Sequence, residues 1–188
     1  MIKYPINKNT SNKQNNALSA SNRGMKLEKA INLSNTYYLN KEIANIHKKP
    51  TPIQVVSVDY PKRQAAKITE AYYKIPSTTD YNGIYRGKYL DFEAKETKSK
   101  TSFAFKNIHS HQINHLKSII NLKGIAFFII CFSHYHETYV IEAINLINRI
   151  NENKKSISYQ EIKEEGYLIK ESYQLPLDYL SAVDNFIK

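Results

Sequence analysis

The sequence contains a single cysteine and no tryptophan among its 188 residues. One thiol cannot form an internal disulfide, and Cys131 lies within the apolar segment GIAFFIICF (124–132), so we interpret it as a buried core residue rather than a zinc ligand. The longest apolar run has about nine residues, far fewer than the ~20 needed to span a bilayer. The first 24 residues also lack the apolar segment of a signal peptide. We therefore expect a soluble, cytoplasmic protein.

Acidic residues are scarce relative to basic ones. There are 17 Asp and Glu residues against 27 Lys and Arg residues, which gives a net charge of +10. This excess favours a polyanionic partner, nucleic acid ahead of an anionic membrane, and with no spanning segment we expect no membrane partner. A general lysine bias is the competing interpretation. Residues 1–22, rich in Asn, Ser and Lys, predict a disordered basic arm, and residues 23–188 predict one domain.

Apolar periodicity predicts alternating helices and strands. Residues 23–42 and 109–122 have helical spacing, residues 53–59 alternate as a strand does, and residues 124–132 read as a buried strand. With the remaining segments, the order is α-β-β-β-β-α-β-β-α. This order favours an α/β fold with a central mixed β-sheet flanked by helices.

The most informative segment is IPSTTDYNGIYRGKYLDFEAKETK (75–98). It contains Asp80 and, after 12 intervening residues, Glu93-Ala94-Lys95, which has the form of a D-x(n)-E-x-K nuclease site. Hydrolysis of a phosphodiester requires a divalent cation that neutralises the oxyanion and lowers the pKa of the attacking water. Mg²⁺ prefers oxygen ligands such as carboxylates. We therefore predict a Mg²⁺ site at Asp80 and Glu93.

Alternation along residues 89–95 supports this interpretation. Leu90, Phe92 and Ala94 are apolar, so Glu93 and Lys95 share the polar face of one anchored strand. Lys95 would then stabilise charge that builds on the phosphate. Turn signals at residues 82–83 and 86–88 would fold Asp80 back beside Glu93. The alternative is an ordinary cross-strand charge pair on a solvent-facing edge, since E-x-K is common in strands.

Basic residues and tyrosines are mixed in the segment 60–76. This combination suits contact with phosphates and unstacked bases, whereas an amphipathic element packed on the body is the competing interpretation. The loop 96–102 is also basic. The candidate DNA-binding residues are Lys62, Arg63, Lys67, Tyr72, Arg86, Lys98 and Lys100.

Three histidines cluster at positions 109, 111 and 115, and the last two have i, i+4 spacing. A zinc site with this spacing needs further His, Cys or Glu ligands. No such ligands follow in pattern, so zinc is disfavoured.

Long and uncommon strings match a known family. They are NRGMKLE (22–28), IHKKPTPIQVVSVDYPKR (46–63), EAYYKIPSTTDYNGIYRGKYLDFEAKETKSKTSF (70–103) and IHSHQINH (108–115), with weaker matches at GYLIK (166–170) and LDYLSAVD (177–184). The chain resembles the RecU family of Holliday junction resolvases. The resemblance implies a fold like that of type II restriction endonucleases, a homodimer, and symmetric paired nicks in a four-way DNA junction.

The resemblance also implies roles for individual residues. By position, the metal ligands become Thr78, Asp80, Glu93 and Gln112, and Lys95 resembles the transition-state stabiliser. Glu28 is the matching candidate for an acidic residue that approaches the site from the first helix in related nucleases. The expected cofactor is Mg²⁺, for which Mn²⁺ can substitute.

The family implies two further features and leaves two other functions open. A stalk that enters the junction corresponds to about residues 60–76, and the strand-exchange recombinase is an expected partner. One alternative is a basic nucleic-acid-binding protein without catalysis, which needs Glu93 and Lys95 to form an ordinary ion pair. The other is a restriction-type endonuclease that cuts linear duplex at one sequence.

Overall fold

The fold is described from a computed structural model, in which residues 26–74 and 78–187 are placed. The predicted N-terminal arm, residues 1–22, lies outside the described residues, as do residues 23–25, residues 75–77 and the side chain of Arg63. Fifteen helices and strands follow in chain order: α1 (26–40), β1 (Ala44–Lys48), β2 (Ile53–Asp59), β3 (Lys67–Tyr73), β4 (Tyr81–Tyr85), β5 (Lys88–Thr97), β6 (Ser102–Ala104), α2 (Ser110–Asn121), β7 (Ile125–Phe132), β8 (Glu137–Glu142), α3 (Ala143–Asn151), β9 (Ser156–Ser158), α4 (Tyr159–Glu165), β10 (Tyr167–Leu168) and α5 (Tyr179–Val183).

A six-stranded sheet forms the centre, in the order β1-β4-β5-β7-β8-β10. Strands β5 and β7 are parallel and joined through α2, whereas the other neighbouring pairs are antiparallel. The sheet is therefore mixed, as the order of elements predicted, and helices flank it. A second small sheet pairs β6 with β9.

Two apolar clusters cover the two faces of the sheet. Phe127 and Ile129 of β7 pack with residues of α1 and α5, whereas Phe128 and Ile130 pack with residues of α2, α3 and α4. Successive side chains of a strand point to opposite faces, so a continuous apolar run such as that of β7 is buried on both sides. The predicted buried strand at 124–132 is thus confirmed, starting at Ile125.

The helices predicted at 23–42 and 109–122 are confirmed, with described bounds 26–40 and Ser110–Asn121. Among the described residues, none of the helices is both long and apolar enough to cross a membrane.

Strands β2 and β3 form a hairpin separate from the central sheet. Every residue of both strands is exposed, and a short 3₁₀ turn, Arg63–Ala65, lies between them. Tyr72 and Tyr73 are 61% and 84% exposed. The alternative of an amphipathic element packed on the body is therefore wrong for residues 60–74. The hairpin begins at Ile53, earlier than the stalk expected at about 60–76.

Candidate active site

Strand β5 presents two faces of opposite character. Leu90 and Phe92 are fully buried in the cluster shared with α1 and α5. Asp91, Glu93 and Lys95 occupy the other face, beneath α2, and the first two are almost inaccessible to solvent. The predicted alternation is confirmed, and it places a line of charged side chains against a helix rather than in water.

The pairing of β4 with β5 brings Asp80 beside Glu93. Tyr81 lies opposite Phe92, so the residue before Tyr81 reaches the neighbourhood of Glu93. The Asp80 backbone N–H donates to Glu93 Oε2 at 3.1 Å, and the Ala94 N–H donates to Asp80 Oδ2 at 3.1 Å. The two acidic residues therefore lie side by side, as predicted, and backbone N–H groups contact both carboxylates.

Only one of the two predicted turn signals forms the turn. Arg86 and Gly87 have φ values of 50° and 73° and connect β4 to β5 as a two-residue hairpin loop. The signal at residues 82–83 lies inside β4, so its prediction as a turn was wrong. Gly83 is required there for space, because a Cβ atom would lie 2.2 Å from the Asn45 carbonyl oxygen of β1.

Glu93 is a buried carboxylate with close polar neighbours. Oε1 lies 2.6 Å from Lys95 Nζ and accepts a hydrogen bond of 2.6 Å from Gln112 Nε2. Burial and, next, the charge of Asp80 raise the pKa of Glu93 to about 7, although Lys95 opposes the shift. A metal cation beside the two carboxylates, in addition to Lys95, would stabilise the charged form of Glu93 and lower its pKa.

Of the other two predicted ligands, Gln112 contacts Glu93, whereas Thr78 contacts Lys49. The Thr78 hydroxyl, two residues before Asp80, accepts a hydrogen bond from Lys49 Nζ at 3.0 Å. Gln112 faces Glu93 with its nitrogen, while its Oε1 accepts the His109 N–H at 2.9 Å. Ligation through Oε1 would therefore need the amide to rotate, and this role of Gln112 stays a prediction.

Glu28 approaches from the opposite face. It lines a small cavity of about 140 Å³ together with Asp80 and Ala94. Its carboxylate pairs with Lys48 Nζ at 2.5 Å. Glu28 is therefore near Asp80 but has a partner of its own.

The donor set fits a hard divalent cation. The Asp80 and Glu93 carboxylates supply oxygen atoms, which is the chemistry of Mg²⁺ sites, and the Gln112 amide would add another only after rotation. Within the described ranges, no group of three or more His, Cys, Asp or Glu residues could hold a metal.

Sequence reasoning missed a second polar group next to the first. We call it the Asp91 cluster: Lys49, Thr79, Tyr89, Asp91 and His115. Asp91 Oδ2 lies 2.7 Å from Lys49 Nζ and 2.9 Å from His115 Nε2, and it accepts from the Tyr89 hydroxyl at 2.8 Å. Thr79 donates its hydroxyl to Asp91 Oδ1. The position of Asp91 two residues before Glu93 was the available signal.

The predicted DNA-binding residues fall in three places. Lys62, Lys67 and Tyr72 are exposed on the hairpin, and Lys98 and Lys100 are exposed in the loop after β5. Arg86 precedes β5 and forms an ion pair of 2.9 Å with Asp184. Arg86 lies in the hairpin loop before Lys88, and at roughly 3.3 Å per residue along β5 the start of this strand is about 16 Å from Glu93.

Comparison with known proteins gives consistent matches. A family model described as RecU, recombination protein U, matches residues 22–185. A protein of Leuconostoc mesenteroides named Holliday junction resolvase RecU is 57% identical over 168 residues, which cover 88% of this chain and 82% of that protein. Proteins of the same name from Geobacillus kaustophilus and Oceanobacillus iheyensis are 51% and 56% identical over 193 and 176 residues. These alignments cover 98% and 92% of this chain, and 96% and 89% of the two proteins.

Proposed function

Because the chain belongs to the RecU, recombination protein U, family, we propose that it is a Holliday junction resolvase. It is an endonuclease that uses Mg²⁺ at Asp80 and Glu93 to cut four-way DNA junctions during recombination and repair. The observation that carries this function is the direct contact between the Asp80 backbone and the Glu93 carboxylate, 3.1 Å apart, beside Lys95. An ordinary surface ion pair would not be buried in this way.

The proposed roles of the residues combine the family resemblance with the contacts described above. When bound, Mg²⁺ supplies Lewis-acid chemistry, polarising the phosphodiester and activating water. Asp80 and Glu93 would hold the cation through carboxylate oxygens, and Thr78 and, after rotation of its amide, Gln112 would be further ligands. The Lys95 ammonium, 2.6 Å from Glu93 Oε1, stabilises the negative charge that develops on the phosphate. The products are 5′-phosphate and 3′-hydroxyl ends.

Symmetry supports a dimer. A four-way junction has near two-fold symmetry, so two identical sites related by one axis make symmetric nicks. Lys and Arg contacts to phosphates supply most of the affinity, with strong salt dependence. The exposed β2–β3 hairpin contains most of the stalk that the resemblance implies, and selectivity for a branch would come mainly from shape.

A single set of reactions tests this function. Synthetic junction, linear duplex and single-stranded DNA are incubated with the protein, with and without Mg²⁺, and the products are separated by electrophoresis. We expect paired nicks in the junction only with Mg²⁺, and little cutting of the other two DNAs. Binding without cutting would favour a non-catalytic DNA-binding protein, and cutting of linear duplex at one sequence would favour a restriction-type endonuclease.

A further inference from the structure

The Asp91 cluster is costly as a purely structural feature. Asp91 is completely buried, and the side chain of Lys49 is only 15% exposed. Removing both charges from water costs several kcal/mol per ion, and apolar residues of similar volume often stabilise a fold as well or better. A buried pair of this kind therefore suggests a function beyond stability. Its position next to Glu93 indicates that this function concerns the proposed metal site.

Lys49 connects the end of β1 to the segment that carries Asp80. Its Nζ donates to Thr78 Oγ1 at 3.0 Å and to Thr79 Oγ1 at 2.6 Å, and it pairs with Asp91. Its backbone N–H donates to the Asp80 carbonyl at 2.8 Å. An ammonium has three donor hydrogens, and Lys49 Nζ has a fourth polar neighbour as well, His115 Nε2 at 3.4 Å. Lys49 can thus reach a phosphate only by releasing one of these partners.

The cluster also reaches helix α2. Gln112 and His115 lie one helical turn apart, while Glu93 and Asp91 lie two residues apart on one face of β5. Gln112 contacts Glu93 and His115 contacts Asp91, which forms two parallel links between helix and strand. The first link belongs to the proposed metal site. The second link, between His115 and Asp91, has the same geometry, but neither of its residues is a predicted metal ligand.

We propose that Asp91, Lys49 and Thr79 are positioning residues for the cation site. Asp91 fixes Lys49 and Thr79, and these two fix the segment from Thr78 to Asp80 against β5. The cluster thereby sets the separation between the Asp80 and Glu93 carboxylates. This inference rests on the proposed function, since it assigns these residues to the same reaction.

The test uses substitutions that separate positioning from folding. Thr79→Val removes the hydroxyl and keeps the shape, whereas Thr79→Ser keeps the hydroxyl. Asp91→Asn removes the buried charge, and the double change Asp91→Leu with Lys49→Met replaces the pair by apolar groups. Lys154→Met breaks an exposed ion pair with Glu152 and is the matched control. Asp80→Asn is the reference for a lost site.

Three quantities are measured on the full-length protein: Mg²⁺ affinity by calorimetry, single-turnover cutting of a junction, and the thermal midpoint without metal. We expect Thr79→Val and Asp91→Asn to weaken Mg²⁺ binding and slow cutting at least tenfold, with junction affinity within about threefold of wild type. Thr79→Ser and Lys154→Met should match wild type. The double variant should keep a thermal midpoint close to wild type and still cut at least tenfold more slowly.

Normal Mg²⁺ affinity and cutting in Thr79→Val would overturn the positioning role, as would equal losses in Thr79→Ser. Full activity of a stable double variant would do the same. If Asp80→Asn itself binds Mg²⁺ and cuts like wild type, the proposed function fails, and the inference that rests on it fails too. If Asp80→Asn is inactive while Thr79→Val is fully active, the positioning role is rejected and the proposed function stands.

Discussion

Strand β5 and the β2–β3 hairpin contrast in almost every physical respect. Strand β5 lies between two neighbours, with Leu90 to Glu93 buried in its middle. The strands of the hairpin pair only with each other in the described sheets, and all their residues are exposed. A two-stranded hairpin is marginally stable by itself. The hairpin therefore depends on the body for its position, whereas β5 is fixed by packing on both faces.

The hairpin exposes apolar side chains that a free surface would not favour. Those at least 43% exposed include Ile53, Val55, Val56, Val58, Tyr60, Ile68, Tyr72 and Tyr73. Exposed apolar patches of this kind mark surfaces that a partner covers. The comparison shows that the candidate site residues of β5 lie in a packed sheet, whereas the hairpin exposes its side chains and contributes none to the core.

The largest expected effect is the loss of cutting when either site carboxylate is neutralised. Asp80→Asn or Glu93→Gln should slow junction cutting by about 10³-fold or more, because the charge that holds the cation is removed. Junction affinity, measured by gel shift, should change less than about threefold. The exposed controls Asp59→Asn on the hairpin and Glu164→Gln on α4 should cut normally. Cutting by Glu93→Gln at the wild-type rate would contradict the site.

The second largest effect should be a difference in stability between substitutions in β5 and substitutions in the hairpin. Phe92→Ala removes a fully buried ring that stacks on Tyr81 and Phe127, so we expect a loss of about 3–5 kcal/mol in the free energy of unfolding. Tyr72→Ala on the hairpin should cost less than about 0.5 kcal/mol. Urea titration of both variants measures this. An equal loss in both would show that the hairpin belongs to the folded core.

Glu93 should make the metal-free protein less stable as pH rises. Its pKa is raised from an ordinary value of 4.5 to about 7 in the fold, so the folded state binds the proton more tightly than the unfolded state. The associated stability is fully present below pH 4.5 and is lost as pH rises through 7. Glu93→Gln resembles the protonated form.

We therefore expect the stability of wild type relative to Glu93→Gln to fall by about 3 kcal/mol between pH 4 and pH 8. Urea titration in chelator at several pH values gives this difference. A difference that stays constant with pH would show that Glu93 has an ordinary pKa.

The smallest effect should come from single lysines of the hairpin. Lys62→Ala or Lys67→Ala should weaken junction binding by about two- to tenfold and lower the dependence of affinity on salt, because one phosphate contact is lost. The cutting rate of bound junction should not change. Gel shifts at several salt concentrations measure the slope, and a slower cutting rate at saturation would link the hairpin to the chemistry.

The sequence predicted the parts of the site that lie close together in the chain. Alternation placed Glu93 and Lys95 on one polar face, and a hairpin turn brought Asp80 to them. The Asp91 cluster could not be found in this way, since Lys49 and His115 lie 42 and 24 residues from Asp91 and come from separate elements. Only tertiary packing joins them.

Exposure was the other quantity that local patterns did not predict. The segment 53–59 was predicted as a strand and is one, but its valines and isoleucine are exposed instead of forming core. Apolar residues that a partner covers have the same sequence pattern as apolar residues that a core covers. Similarly, residues 82–83 have the sequence of a turn, yet they lie in β4, where Gly83 allows β4 to approach β1 closely.

The most direct test is a calorimetric titration of Mg²⁺ into the metal-free protein at pH 8, in wild type, Asp80→Asn, Glu93→Gln and Glu164→Gln. The account predicts that wild type and Glu164→Gln bind Mg²⁺ with equal affinity and that both site variants lose this binding at least tenfold. Unchanged Mg²⁺ affinity in Asp80→Asn and Glu93→Gln would contradict the claim that these two carboxylates together hold the cation.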